Sequence, residues 1–333
     1  PNFYKFRLRF KAKFLGGFVC PAYTFDNVKG NFPIGFMIWD LNKEEQIQNI
    51  ACDVFSENLE FIAQKNFFAY DENIFITDWY RIYHTRILSS DVLGAIGLYG
   101  SDFQHNNFIR ITNANEHPNR WTFITPNNLI PTCIYLAVRH AIPATWLNDR
   151  DQFLYPNEMW EKDSEFQNDC LVFTLFHGQN RISAKEGVNH FIPFSESEVE
   201  VKEAFESHFM YKFIKGKIKI DSTTTSKAKQ SKFSDADLEL ESKSFIPNKP
   251  LEFSTEAQAV FEAGKEIYKY YHQNFEQIPE IHSQHKDEFY KNYNPNVSLY
   301  DIKGYFQGFK ENGQGTAKMN IKSIDSAYNA LIA

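Results

Sequence analysis

Two apolar segments near the start of the chain are separated by a short polar stretch. They run from Gly17 to Phe25 and from Phe32 to Trp39, and the residues between them, Asp26 to Asn31, include the Asp, Asn and Gly that tolerate a tight reversal. This pattern predicts a β-hairpin. The second arm, IGFMIW, is apolar at both alternating sets of positions, which is typical of a strand covered on both sides. We therefore expect the second strand to be buried on both faces by neighbouring elements.

The opening segment, FYKFRLRFKAKF, fits two patterns. As a strand it places its basic residues on one face, and as a helix it aligns phenylalanines at spacings of three and four. We favour the helix, and its apolar stripe consists of Phe3, Phe6, Phe10 and Phe14. The basic residues then form a solvated face more readily than a DNA contact.

Four later segments have the periodicity of helices. The run from Glu44 to Phe68 is acidic, and the run from Glu196 to Phe213 is amphipathic. A third helix follows Asn128, which is a suitable cap, and carries Pro131 in its first turn, where a missing N–H is tolerated. The fourth begins near Ser254. Its predicted buried stripe consists of Val260, Ala263, Ile267 and Tyr271.

Other stretches predict strands. Asn106 to Thr125 fits two short strands joined by a polar turn, and the apolar run DCLVFTLF predicts a buried strand that is followed directly by HGQNRIS. Loops at strand ends commonly carry functional groups, and Arg, Asn and Gln are side chains that read base edges. We therefore take His177, Gln179, Asn180 and Arg181 as candidate DNA-binding residues, with an ordinary polar loop as the alternative.

The charge distribution limits how the chain can bind nucleic acid. Its net charge of -7 argues against attraction through bulk charge, so any DNA contact must come from local patches. Lys215, Lys217 and Lys219 begin a basic stretch, and Arg150 lies between two aspartates. We include all four as candidate DNA contacts. The alternatives are a solvated linker for the lysines and a structural ion-pair cluster around Arg150.

The composition bounds the class of protein. With 333 residues, 43% of them hydrophobic, the chain is long enough for two or three domains with cores. No apolar run is long enough to span a bilayer, and the charged opening segment does not resemble a signal peptide, so we expect a cytoplasmic protein without a membrane partner. The scattered cysteines predict buried reduced thiols and no metal site. They are Cys20, Cys52, Cys133 and Cys170.

The segments GGFVCPAYTF and FPIGFMIWDL, joined by a loop, resemble the last two strands of the catalytic sheet in adenine-specific DNA methyltransferases of bacterial restriction-modification systems. Further similar segments include FQNDCLVFTLFHGQNRIS, GVNHFIPF, FSTEAQAVFEAGKEIYKYYH and LYDIKGYFQG, so the resemblance extends over most of the chain. In that family the closing strand turns back antiparallel at the edge of a Rossmann-like sheet. The resemblance therefore implies that the hairpin is such a sheet edge.

Two elements of that family are absent from the sequence. Methylation of the adenine amine needs an Asn/Asp-Pro-Pro-aromatic loop, and binding of S-adenosylmethionine needs a Gly-rich turn after a strand. The sequence has no Pro-Pro pair and no such turn, and in the family both elements precede the hairpin. The resemblance therefore implies the C-terminal portion of a longer enzyme. The parent would bind S-adenosylmethionine and double-stranded DNA. This chain, without the N-terminal catalytic half, is expected to hold no cofactor, to supply no catalytic residue and to be inactive alone.

These inferences combine into one predicted organisation of class α+β. Residues 1–45 would form the terminal helix and hairpin of a methyltransferase-like sheet, 46–220 a mixed α/β DNA-recognition domain, 221–250 a flexible charged linker and 251–333 a helical C-terminal unit. Two other functions stay open. The chain fits a non-enzymatic DNA- or partner-binding module, and Asp235, Glu241 and Lys243 have the order of a metal-dependent nuclease motif.

Overall fold

The chain has a mixed α+β fold. The computed structural model describes residues 10–47, 49–68, 76–86, 88–98, 109–114, 121–140, 145–147, 158–218, 245–277, 287–309 and 315–319. Contacts group the chain into two compact units. Unit 1 consists of Pro1–Trp79, Gly100–Asn106 and Arg139–Tyr155, and unit 2 of Tyr80–Tyr99, Asn107–Val138 and Pro156–Ala333.

Unit 1 contains a four-stranded sheet. Its strands are β1 (Lys13–Pro21), β2 (Pro33–Asp40), β3 (Asn49–Phe55) and β4 (Phe61–Phe68). Their order across the sheet is β2-β1-β3-β4. Strands β1 and β2 are antiparallel, β1 and β3 are parallel, and β3 and β4 are antiparallel. The predicted β-hairpin is confirmed, with Phe18 opposite Phe36 in the register.

One face of this sheet is buried. Val19, Cys52 and Val54 are at its centre, and Trp146 and Leu147 pack against them. Among the described residues, the opposite face carries exposed apolar side chains. The prediction that β2 is buried on both faces is therefore wrong: Phe36 is 44% exposed and Ile38 is 64% exposed. The physical reason is that the described residues cover only the face of the sheet that carries Val19, Cys52 and Val54, and Phe36 and Ile38 lie on the other face.

The acidic helix predicted between Glu44 and Phe68 is also wrong, because the segment forms β3 and β4. In β3 the buried Cys52 and Val54 alternate with positions of greater exposure, and this period of two belongs to a strand. The turn between the strands is held by Ser56, whose Oγ accepts from the N–H groups of Asn58 and Glu60 at 3.2 Å each. The four-stranded sheet therefore continues past residue 45.

The opening helix is contradicted where the chain is described. Lys13 and Phe14 belong to β1, and Phe14 contacts Trp39 edge to face, with ring centroids 5.1 Å apart. The cross-strand pairing thus uses the phenylalanine that the helical stripe would have needed. Residues 3–9 of the predicted helix lie outside the described residues.

Unit 2 contains a small buried sheet. Its strands are β5 (Gly94–Gly97), β6 (Ile111–Thr112) and β7 (Trp121–Ile124). Strand β5 lies between the other two and is antiparallel to both. The two short strands predicted between residues 106 and 125 are present, but β5 separates them, and most of the polar turn lies outside the described residues.

Helices supply most of the rest of unit 2. They are α1 (Ile76–Arg81), which begins in unit 1, α2 (Leu129–His140), which ends there, α3 (Ser164–Phe176), α4 (Phe209–Ile214), α5 (Thr255–Asn274) and α6 (Leu299–Tyr305). A hairpin of β8 (Gln307–Phe309) and β9 (Gly315–Met319) follows. The helices predicted after Asn128 and Ser254 are confirmed, and Ser254 caps α5 by accepting from the N–H of Ala257 at 3.1 Å.

Two other predictions in unit 2 are wrong. The run DCLVFTLF forms the end of α3 and not a strand, because Asp163 caps the helix and its apolar residues are buried on nearly all sides, which removes the helical period from the sequence. The helix predicted from Glu196 to Phe213 is mostly turns, with α4 at its end. Glu196 holds these turns by accepting from the N–H of Phe205 at 3.0 Å and contacting His208 at 2.6 Å.

Candidate functional site

The polar segment after α3 forms a tight turn. His177 ends the helix, and its ring stacks on Phe173 with centroids 4.6 Å apart. The backbone N–H of Gln179 donates to His177 Nδ1 at 3.2 Å, and that of Asn180 donates to the His177 carbonyl at 2.9 Å. His177, Gln179, Asn180 and Arg181, predicted together from sequence, therefore lie together in one turn, although a helix and not a strand delivers it.

This turn is tied to the buried sheet of unit 2. The N–H of Ile111 in β6 donates to the carbonyl of Gln179 at 2.9 Å, and the N–H of Arg181 donates to the carbonyl of Ile111 at 2.8 Å. Asn180 uses its own amide inside the turn: Nδ2 donates to the Thr174 carbonyl at 3.1 Å, and Oδ1 accepts from the N–H of Ile182 at 3.3 Å. These bonds favour a structural role for Asn180.

Gln179 differs from Asn180 in this respect. Its Oε1 is buried and has no hydrogen-bond partner within the described part of the chain. An unpaired buried acceptor costs about 1–3 kcal/mol, so a donor that reached this oxygen would recover that free energy. Because this oxygen is buried, a donor on a ligand could reach it only after the Gln179 side chain turned outward.

The far end of the turn is held by a buried carboxylate that the sequence analysis missed. Asp301 is fully buried; its Oδ1 accepts from Ser183 Oγ at 2.6 Å and its Oδ2 from the N–H of Ala184 at 2.8 Å. It also forms a capping box with Ser298 at the start of α6. Burial raises the pKa of Asp301, although these hydrogen bonds oppose the shift. The Ser-x-x-Asp spacing was a signal for the capping box but not for the contact with the turn.

The other predicted DNA contacts lie elsewhere or outside the described residues. Lys215 ends α4, with its ammonium 5.7 Å from the centre of the Tyr211 ring, and it borders a surface cavity of about 150 Å³ together with Phe253 and Lys265. The backbone N–H of Lys217 closes the same loop onto the Lys212 carbonyl at 2.8 Å. Arg150 and Lys219 lie outside the described residues.

The open face of the unit 1 sheet carries a continuous row of aromatic rings. Successive centroids are 6.1, 4.8, 5.7 and 6.0 Å apart, so each ring contacts the next. We call this row the aromatic ladder, and it consists of Phe25, Phe36, Phe18, Phe55 and Phe61. Each of the four strands contributes one ring, and Phe25 precedes β2. The ladder was not predicted from the sequence, because the segment that forms β3 and β4 was expected to be a helix.

The glycines of β5 do not form a cofactor-binding turn. Gly94 and Gly97 lie inside the buried β5, where a Cβ on Gly94 would be 2.9 Å from the Thr112 carbonyl oxygen, so they serve close packing and not a phosphate-binding turn. The described residues contain no group of three His, Cys, Asp or Glu placed to hold a metal ion. The prediction of buried free thiols is confirmed for all the cysteines, and burial raises the pKa of Cys133 to about 12.

None of the helices described is long and apolar enough to cross a membrane. No protein-family model, curated protein or solved structure matches the chain.

Proposed function

We propose that this chain is the C-terminal portion of an adenine-specific DNA methyltransferase of a restriction-modification system, which closes the cofactor-binding sheet and binds the DNA target. The observation that carries the proposal is the position of β2. In the described part of the chain it is the last strand on its side of the sheet, and it runs antiparallel to β1. Its outer N–H and C=O groups are available to a further strand.

The strand directions fit such a sheet closure. Strands β1 and β3 are parallel and β2 is antiparallel to β1, and antiparallel strands near the edge of an otherwise parallel sheet are common in large α/β folds. A strand of the N-terminal half, which would hold S-adenosylmethionine, would pair with β2, and the four strands of this chain would then form one side of the completed sheet, with β2 inside it. This chain's contribution to the chemistry would then be to fix the edge of the sheet on which that half is built.

DNA binding is assigned to the turn after α3. Gln can make two hydrogen bonds to adenine, and the buried Oε1 of Gln179 lacks a partner among the described residues. Lys215 and Lys217 would contact phosphates without reading sequence. The net charge of -7 requires such local contacts, because the chain as a whole repels DNA.

The test of the proposal is methyl transfer. We expect this chain alone to bind no S-adenosylmethionine in a titration and to transfer no methyl group to DNA. The protein that also contains the coding region upstream of Pro1 should do both, with the methyl group on the adenine amine. Cofactor binding by this chain alone, or an active parent that methylates another base, would contradict the proposal.

The DNA-binding assignment has its own test. In the parent protein, Lys217→Ala should weaken binding to every duplex alike and lower the slope of log affinity against log salt by about 1. Gln179→Ala should instead reduce discrimination between target and non-target duplexes, by about tenfold. Lys202→Ala, at an exposed lysine outside the proposed site, is the control. If Gln179→Ala and the control behave alike, the turn does not read bases.

A second function is favoured by the aromatic ladder. Exposed apolar faces of this kind mark protein contacts, so a non-enzymatic partner-binding module is the alternative. It predicts an affinity for DNA that is weak at every salt concentration. The nuclease prediction at Asp235, Glu241 and Lys243 concerns residues outside the described part of the chain.

A further inference from the structure

The geometry points to the aromatic ladder as the docking surface of a cationic amphipathic helix. We infer that this helix belongs to the N-terminal half of the same enzyme, and for that source the inference rests on the proposed function. The inferred helix would cover the exposed face of the sheet. The proposed function concerns a different feature, the unpaired backbone edge of β2. The two can therefore fail separately.

The ladder face of the unit 1 sheet exposes a large area of apolar side chains. Among the ladder residues, Phe18, Phe36 and Phe61 are 37%, 44% and 61% exposed, and Ile38, on the same face, is 64% exposed. Contiguous exposed apolar surface of this kind is rare on monomeric soluble proteins. The opposite face of the same sheet is covered by its own apolar cluster. A sheet of this type reaches a stable layered arrangement when a second layer covers the open face.

Acidic side chains lie beside the ladder. Asp53 is the register partner of Phe18, the middle ring, and its other neighbour is Gln64, whose Nε2 donates to Asp53 Oδ1 at 3.3 Å. The exposed Glu57 and Glu60 lie in the turn between β3 and β4, next to the last two rings. The middle and this end of the ladder are therefore acidic, and a partner with lysine or arginine there would complement them.

The other end of the ladder is electrically mixed. Asp26 follows Phe25 directly, and the exposed Lys29 lies three residues further on, so the two charges offset each other. The partner helix therefore needs an apolar stripe, with basic residues opposite the middle of the ladder and opposite the β3–β4 turn. It needs no particular charge at the Phe25 end.

This charge pattern disfavours three other partners for the ladder: nucleic acid, an anionic membrane and a second copy of the chain. Single-stranded nucleic acid stacks on aromatic platforms that lie in positive grooves, and Asp53 would repel its phosphates. An anionic membrane surface meets the same repulsion. A second copy of this chain, paired about a twofold axis through the middle of the ladder, would bring its own Asp53 close to the first in an apolar contact.

The dimensions suit a helix. The ladder has four successive steps of 4.8 to 6.1 Å, and a helix of about four turns rises about 22 Å. Residues at spacings of three and four on such a helix form one apolar stripe, with basic residues along its margin. One helix lying along the ladder would therefore cover all five rings.

The test is photo-crosslinking in the parent protein. p-Benzoylphenylalanine replaces Phe36 on the ladder, and in the control protein it replaces Leu88, which is 70% exposed in unit 2. We expect the probe at position 36 to crosslink to one helical segment upstream of Pro1 that carries lysine or arginine, and the probe at position 88 not to reach it. Crosslinks from position 36 only to DNA, lipid or a second copy, or no crosslink at all, would overturn the inference.

The charge requirement is tested in the same protein. With the probe at position 36, Asp53→Lys should lower the crosslink yield about tenfold, and Glu276→Lys, at an exposed acid in unit 2, should leave it unchanged. Circular dichroism shows that each variant is folded. Equal yields for both variants would overturn the cationic assignment. Methyl transfer measured on the unsubstituted parent protein separates the two proposals: an intact crosslink from position 36, together with an unsubstituted protein that has no methyltransferase activity, supports the docking surface and rejects the enzyme.

Discussion

Phenylalanines are used differently in the two units. In unit 2, Phe194 is 1% exposed and its ring contacts those of Phe176, Phe261 and Tyr268. In unit 1, the rings of the aromatic ladder contact each other just as closely and remain open to solvent. Ring contact alone therefore does not distinguish a core from an interface. What distinguishes them is whether a second layer covers the rings.

This difference predicts that the aromatic rings of unit 2 contribute to the free energy of folding and those of the ladder to the free energy of binding. Full burial of a large apolar side chain contributes about 1.5–3 kcal/mol to folding, and a ring left in solvent contributes little until a partner arrives. We therefore expect unit 2 to lose stability when an aromatic residue is truncated and unit 1 to lose binding.

The largest effect is expected at the core of unit 2. Phe194→Ala removes a fully buried ring and leaves a cavity among three other rings, which should lower the free energy of unfolding by about 3–5 kcal/mol. Urea unfolding followed by intrinsic fluorescence measures it. Phe194→Leu, which keeps most of the volume, should recover more than half of the loss. A loss below about 1 kcal/mol for Phe194→Ala would show that this core is not packed as described.

A somewhat smaller effect is expected at the carboxylate that holds the polar turn. Asp301→Ala leaves the donors of Ser183 and Ala184 without their acceptor, so we expect a loss of about 2–4 kcal/mol. Amide hydrogen exchange in residues 177–184 should accelerate. Asp301→Asn keeps one acceptor oxygen and should cost less. Unchanged exchange in the turn of a folded Asp301→Ala variant would contradict the role given to this residue.

The next effect depends on pH. Burial lowers the pKa of His272 to about 4, and its Nδ1 lies 3.0 Å from the Tyr293 hydroxyl. Because the unfolded chain binds this proton at a higher pH than the folded chain, the stability present above about pH 6.5 is lost as pH falls toward 4, by about 2–3 kcal/mol. His272→Gln should flatten the stability profile in this window. If the stability of the His272→Gln variant falls with pH as steeply as that of the unsubstituted chain, other groups cause the acid sensitivity.

The smallest effect on folding is expected on the ladder. Phe36→Ser removes a ring that is 44% exposed and stacked on Phe18, so it should change stability by less than about 1 kcal/mol. Chemical denaturation of the isolated chain measures this. A loss as large as that of Phe194→Ala would mean that the ladder stabilises the fold itself and is not reserved for a partner.

Local sequence signals predicted part of this fold. The hairpin turn and the starts of α2 and α5 follow from residues with strong local preferences, such as Ser254 at a helix start. The wrong secondary-structure prediction for α3 arose because burial on nearly all sides removes the helical periodicity of apolar residues. Cys170 to Phe176 is apolar at every position except Thr174 because α3 is covered on nearly all sides, and such a run fits a helix or a strand equally well.

The site was predictable to the same limited degree. Neighbours in sequence, such as His177 and Gln179, were grouped correctly because one turn contains them. Asp301 lies more than a hundred residues from Ser183, and the aromatic ladder draws four of its rings from four different strands. Contacts of this range depend on the register and topology of the whole chain, which no local pattern specifies.

The most direct measurement for the central claim is amide hydrogen exchange in β2, Pro33 to Asp40. In this chain alone, the N–H groups that point away from β1 should exchange quickly, because in the described part of the chain no strand pairs with that side. In the parent protein, the same groups should become protected when the cofactor-binding half supplies the adjacent strand. Equal exchange of β2 in the two proteins would contradict the claim that this strand completes a larger sheet.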